Sequence, residues 1–149
     1  EQHSLDWHLL EQPEHRALLD LNRDLNHLYL ENPVLHAGDT DPAGFAWIDL
    51  HNGDQSVFAF LRRSPLHPGR PPLLCVFNCT PVPREAYWLG VPEAGTYRKV
   101  LDTDAARFGG SGFSQQERVV SQLAPCQGYP CHILLNLPPL GALFFELAD

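Results

Sequence analysis

Few side chains in this sequence could do chemistry, and each has a competing structural use. Asp39 with Asp41, and Asp102 with Asp104, are carboxylate pairs of the kind a glycoside-cleaving enzyme uses as acid and nucleophile. Both pairs sit in turn-like sequence, where aspartate accepts hydrogen bonds from backbone N–H groups, and capping is the expectation. Gly109-Gly110-Ser111-Gly112-Phe113 falls one residue short of the G-x-S-x-G nucleophile turn and does not join a strand to a helix, so it reads as a glycine loop. His3, His8 and His15 are spaced by five and seven residues, which matches no metal-ligand pattern. Cys75, Cys79, Cys126 and Cys131 make a zinc-like count of four. On a strand, however, positions four apart lie roughly 13 Å from each other, too far for one tetrahedral ion with bonds of about 2.3 Å. Buried, reduced thiols acting as small hydrophobes are expected instead, and with them a reducing cytosol. The sequon Asn78-Cys79-Thr80 is followed by Pro81 and makes a poor glycosylation acceptor. No catalytic group, metal site or cofactor site is therefore assigned.

Aromatic side chains remain. Trp7, Trp47, Trp88, Tyr87, Tyr97 and Tyr129 could serve as core or edge packing, or as flat platforms on which the C–H face of a sugar stacks.

The elements that must position these groups follow from periodicity. Pro13 suits a first helical position. Leu18, Leu21, Leu25, Leu28 and Tyr29 then form one apolar stripe, which predicts a helix over 13–31. On its other face Asp20 can pair with Arg23, and Asp24 with His27. Asn32-Pro33 ends it, because a residue before proline avoids the helical region. Beyond Pro33 the helical period never returns. Phe45–Ile48 and Ser56–Arg63 flank Asn52-Gly53, a hairpin turn pair. The proline-rich stretch 64–72 is a stiff loop. Leu73–Cys79 is apolar on both faces and should be a central, covered strand. Tyr87–Val91 alternates, turns at Pro92-Glu93-Ala94-Gly95 and returns through Tyr97–Leu101. Arg118–Leu123, His132–Leu137 and Ala142–Leu147 complete about eight short strands, the pattern of an antiparallel β-sandwich. A lone helix has no second helix to pack on, so its leucines must meet either the sandwich flank or something outside it.

Composition narrows the partners. The 149 residues carry a formal charge of −8, with 11 acids against Arg16 and Arg23 in residues 1–54. Nucleic acid and anionic membrane both need basic surfaces and are not expected partners. The chain opens on Glu1 and contains no methionine, so a processed product or a piece of a longer chain is expected.

Several stretches resemble the C-terminal end of glycogen (1,4-α-glucan) branching enzymes, of the α-amylase superfamily. They are Ser4–Leu10, Asp24–Tyr29, Pro33–His36, Gly44–Asp49 and Ser56–Arg63, then most distinctively Asn78-Cys79-Thr80-Pro81-Val82-Pro83-Arg84, Val100–Asp104 and Leu137-Pro138-Pro139-Leu140. They occur in the family's order along nearly the whole chain; Cys126 and Cys131 depart from its common pattern. The resemblance implies a mainly β chain: an antiparallel Greek-key β-sandwich of the α-amylase C-terminal type over 40–149. Residues 1–39 would be the last loop and final helix of a (β/α)8 barrel. The parent would form α-1,6 branches by retaining glycosyl transfer, with its Asp and Glu machinery in the barrel and none in this segment. The implied partners are α-glucan and the missing barrel, the implied compartment the cytoplasm. Asp6 and Trp7, after the last barrel strand, and Trp88 on the sandwich are the candidate substrate-binding residues. A free-standing carbohydrate-binding module, or the C-terminal domain of a debranching or trehalose-forming relative, are the alternatives.

Overall fold

The computed structural model describes residues 5–148. Ser4 and His3 thus lie outside the described residues, while His8 and His15 are both exposed. A 3-10 turn, Trp7–Glu11, leads into α1, Pro13–Glu31, the single α-helix among the described residues, with proline in its first turn and Asn32 as its C-cap. No residue of α1 is buried. The helix neighbours the short turns Trp7–Glu11, Pro33–Leu35 and Ala106–Phe108, with Leu21, Leu25 and Leu28 half-covered and Leu18 and Tyr29 exposed. Asp20 pairs with Arg23 at 3.0 Å, as the spacing predicts. Asp24 does not turn to His27. It bonds Arg107 at 2.6 Å, and so fastens the helix to the turn Ala106–Phe108, because an Arg fork from another element outcompetes a local imidazole.

Eight strands follow: β1 Phe45–Asp49, β2 Val57–Arg62, β3 Leu73–Asn78, β4 Arg84–Val91, β5 Thr96–Asp102, β6 Arg118–Val120, β7 Cys131–Leu137 and β8 Gly141–Leu147. Six form one antiparallel sheet in the order β1-β2-β3-β8-β5-β6, and β4 pairs with β7 in a second sheet. The chain leaves the large sheet twice, at β4 and at β7, and returns each time. Two sequence expectations change here. Asn52-Gly53 is not a two-residue hairpin turn but part of a seven-residue connection closed by Ser56 at φ 49°, since the apolar registers of β1 and β2 begin too far apart for a tight turn. Nor does Tyr97–Leu101 return against Tyr87–Val91. Instead, β5 crosses to the large sheet and pairs with β8 and β6.

The core lies between the sheets. Alternation along β2 sends Val57, Ala59 and Leu61 inward, where they meet Leu74, Val76, Leu143 and Phe145 from the large sheet and Leu89, Val91, Ile133 and Leu135 from the small one. β3 is buried on both faces, as its unbroken apolar run predicts.

The most distinctive sequence motifs build the corners. Asn78 is buried; its Nδ2 donates to the carbonyls of Val82 at 2.8 Å and Pro138 at 2.9 Å, and its Oδ1 accepts from the Thr80 N–H and hydroxyl. Leu140 N–H donates to the Thr80 carbonyl at 2.8 Å, and Ala142 N–H to the Thr103 hydroxyl at 2.8 Å. One asparagine thus ties the β3–β4 crossover to the β7–β8 crossover. Both its amide protons are engaged at this corner.

Candidate functional site

The outer face of the large sheet carries a continuous row of rings. Phe45 and Trp47 project from β1, Phe58 and Phe60 from β2, Phe77 from β3 and Phe144 from β8. Phe58 stacks on Phe77 at 4.7 Å, Phe77 meets Phe60 at 5.7 Å and Phe144 edge-on at 5.9 Å. Phe60 reaches Phe45 at 5.1 Å and Trp47 at 5.8 Å. All six are partly open, with Trp47 46% exposed. One end of this face is capped by Val34, buried against Leu73 and Cys75. Arg62 holds that segment down by donating to the carbonyls of Val34 and Leu35 and pairing with Asp39. Burial among these apolar groups pushes the Cys75 thiol up to about 12, so it stays protonated and inert.

The outer face of the small sheet is different. Trp88, on β4, is 55% exposed, and its indole lies parallel to the imidazole of His132 on β7, with centroids 4.4 Å apart and planes 4° apart. His132 is buried, and its Nδ1 meets the Ala124 carbonyl at 2.9 Å. Beside Trp88 runs a shallow groove lined by Asn52, Gln55, Arg84, Glu85 and Gln127. Tyr87 closes the floor: its hydroxyl donates to Asp49 and accepts from Asn52 at 2.8 Å. Burial first, and the Asp49 carboxylate second, hold that phenol far above its ordinary range.

Asp6 and Trp7, the other candidate binding residues, sit at the 3-10 turn before α1, both exposed. No hydrogen bond or ring contact joins them to Trp88. The ring row on the large sheet was not singled out from the sequence, though aromatics two residues apart in β1 and in β2 are a readable signal for one face of adjacent strands. Of the other aromatics, Tyr97 belongs to the core, and Tyr129 packs at its edge and donates to the Trp47 carbonyl at 3.3 Å.

Three of the four paired carboxylates are occupied by the backbone, as expected, while Asp39 pairs with Arg62 instead. Asp41 accepts from Ala43 N–H at 2.9 Å and Asp102 from Asp104 N–H at 2.8 Å. Asp104 gathers the glycine loop by accepting from the N–H groups of Ser111 at 2.9 Å and Phe113 at 3.2 Å. The four thiols divide: Cys75 and Cys131 are buried, but Cys79 is exposed just past the end of β3 and Cys126 half-exposed in a turn. The expectation of four buried thiols is corrected, because β3 ends at Asn78 when that side chain turns inward to hold the corner.

A two-sheet antiparallel domain with a helix beside it and corners tied by Asn and Pro is an all-β domain of the sandwich class. Residues 47–148 match the model of the "Alpha amylase, C-terminal all-beta domain". The chain belongs to that family. It is 48% identical over 146 residues, 98% of its length, to a 1,4-alpha-glucan branching enzyme of Roseobacter denitrificans, and 44% identical over 95% of its length to one of Thiobacillus denitrificans. A third, from Aquifex aeolicus, is 41% identical over 96% of the chain. The chain spans about a fifth of the length of these curated relatives (20%, 19% and 22%). Among solved structures, the α-amylase from H. orenii aligns with 93% of the chain and 22% of its own, at TM-score 0.54 and 18% identity, a likeness of fold alone. Among the described residues no helix is long and apolar enough to cross a membrane.

Proposed function

We propose that this chain is the C-terminal part of a 1,4-α-glucan branching enzyme, inactive alone, whose sandwich supports a catalytic barrel. The observation that carries the reading is 44–48% identity to enzymes of that name across 95–98% of the chain. The parent would cleave an α-1,4 linkage and pass the freed chain to a 6-hydroxyl, with α-glucan as substrate and the cytoplasm as its compartment. Residues 1–39 would belong to the barrel and 40–149 to the sandwich; the placement of α1 outside both sheets supports the division. Arg62, reaching back to Val34, Leu35 and Asp39, would be the hinge pin between the two. The row of rings on the large sheet and the open leucines of α1 form the apolar surface that the barrel would cover. Asp6 and Trp7 would face the substrate cleft, since loops after barrel strands line it.

The test is a chimera. The matching C-terminal segment of the Thiobacillus denitrificans enzyme is replaced by this chain, and branching of amylose is followed by loss of the iodine colour. Activity close to the parental level is expected, with none from this chain alone. A folded chimera without activity, or branching by the isolated chain, would remove the reading.

A further inference from the structure

We infer that Trp88, with the groove beside it, is a binding platform for one stretch of an α-glucan chain on the sandwich itself. The choice of an α-1,4-linked ligand rests on the proposed branching-enzyme reading; the platform rests on geometry.

A solvent-facing indole normally keeps its rotamer freedom, and a ligand must then offset the cost of ordering it. Trp88 is 55% exposed yet one face of its indole is already held, because His132 on the neighbouring strand lies parallel to it at 4.4 Å. His132 cannot rotate away, being 1% exposed and bonded through Nδ1 to the Ala124 carbonyl at 2.9 Å. Its Nε2 is buried with no hydrogen-bond partner. A leucine would fill that space without stranding a polar atom, so packing alone does not account for an imidazole here. A planar support that fixes the indole does.

The rim is polar and equally fixed. Gln127 accepts from the Gly90 N–H at 2.8 Å and donates to Asp49 at 2.9 Å, which sets its amide beside Trp88. Gly90 is required for this approach, since a Cβ there would lie 2.4 Å from the Cys126 carbonyl oxygen. Arg84 donates to the Gln55 carbonyl at 3.3 Å, and its buried Nε has no partner. Glu85 is exposed on the same groove. A pyranose has just this division: an apolar C–H face for the ring and a girdle of hydroxyls that both donate and accept. Arg84 supplies donors, Glu85 acceptors and Gln55 both, while Gln127, whose amide protons go to Asp49 and to the Trp88 carbonyl, keeps only acceptor capacity.

The test uses the whole chain. It is run in native gels with and without amylopectin, and titrated with maltoheptaose and, separately, cellohexaose while the indole N–H resonances of its three tryptophans are followed. Retardation by amylopectin is expected, with the Trp88 resonance moving on maltoheptaose and the Trp47 resonance staying. Trp88→Ala should weaken maltoheptaose binding about tenfold or more, the effect of losing one flat aromatic contact. Glu85→Ala, at a solvent-facing position, should weaken it several-fold and covers the case of a Trp88→Ala chain that does not fold. Unretarded migration, a response at Trp47 instead of Trp88, or undiminished binding by the variants would overturn the platform. Equal affinity for cellohexaose would overturn the α-glucan assignment. An active chimera with no binding at Trp88 removes the platform and leaves the branching-enzyme reading; binding at Trp88 with an inactive chimera does the reverse.

Discussion

Trp47 and Trp88 are almost equally exposed, 46% and 55%, and stand on the outer faces of opposite sheets, yet their surroundings assign them different work. Trp47 meets Phe45 and Phe60 edge-on, at 84° and 86°, inside a field of rings. Such a surface is mostly apolar, with only Asn52 and Ser56 near Trp47, and gains by being covered with apolar side chains. Trp88 stacks parallel to a buried imidazole with amides and charges at its edge. That surface stays wet and suits a ligand with one apolar face. Exposure does not separate the two. The chemistry of the neighbours does.

The contrast requires both faces to stand on a common core, and the largest predicted effect tests that. Phe145 is fully buried on the inner face of β8. Phe145→Ala should cost about 3–5 kcal/mol in urea unfolding. A single transition reported alike by Trp47 and Trp88 fluorescence is expected. Two separate transitions would break the comparison, since each face would then rest on its own unit. Asn78→Ala comes next, at about 2–3 kcal/mol, because it leaves the Pro138 carbonyl and the Thr80 N–H without their partners at a buried corner and the Val82 carbonyl with the Thr80 hydroxyl alone. Both crossovers lead to the small sheet, so hydrogen exchange should quicken in β4 and β7 more than in β2 and β3. Uniform quickening would show that the corner does not hold the Trp88 face in particular.

The faces were unequally legible in the sequence for physical reasons. Helix ends are local: Pro13 and Asn32-Pro33 set the bounds of α1 without help from the rest of the chain. Strand positions follow from alternation and turn residues, and all eight lie near where those signals put them. Alternation says which residues share a face but not which strand lies alongside, and so β5 was expected against β4 instead of β8. The stacking of Trp88 on His132 depends on the β4–β7 pairing and was hidden with it. Trp88 could be named as a candidate, but its support could not. The family motifs were legible yet silent about their purpose: Asn78, Thr80, Pro138 and Thr103 prove to be corner-makers.

Trp47→Ala sharpens the contrast from the apolar side. In the chain alone it should cost only about 1 kcal/mol, since a half-exposed ring loses two edge contacts. In the chimera the same change should lower the melting temperature and the yield of soluble enzyme, while amylopectin retardation of the isolated chain is unchanged. A loss of retardation would erase the division of labour between the two tryptophans.

The smallest effect concerns charge. All ion pairs among the described residues fall on α1, the large sheet or the segments joined to them; none involves β4 or β7. The most buried is Lys99, which contacts Asp102 at 3.4 Å, Glu117 at 3.0 Å and the Ser114 carbonyl at 2.8 Å. Burial raises the Asp102 carboxyl above its ordinary 3.8, against the opposing pull of the Asp104 N–H and the Lys99 ammonium. A folded-state value above the unfolded one means that the native protein binds the proton more tightly. Its stabilising contribution is therefore complete below pH 3.8 and fades as pH rises through the raised value. Asp102→Asn keeps an acceptor for the Asp104 N–H and cannot titrate. Measured in urea from acid to neutral pH, the stability of the native chain relative to this variant should fall as pH rises. The β5 end of the large sheet should respond in exchange, and β4 and β7 should not. A rise with pH would mean that the Lys99 ammonium outweighs burial, and a response in β4 and β7 would mean that the two faces are coupled through charge as well as through their shared core.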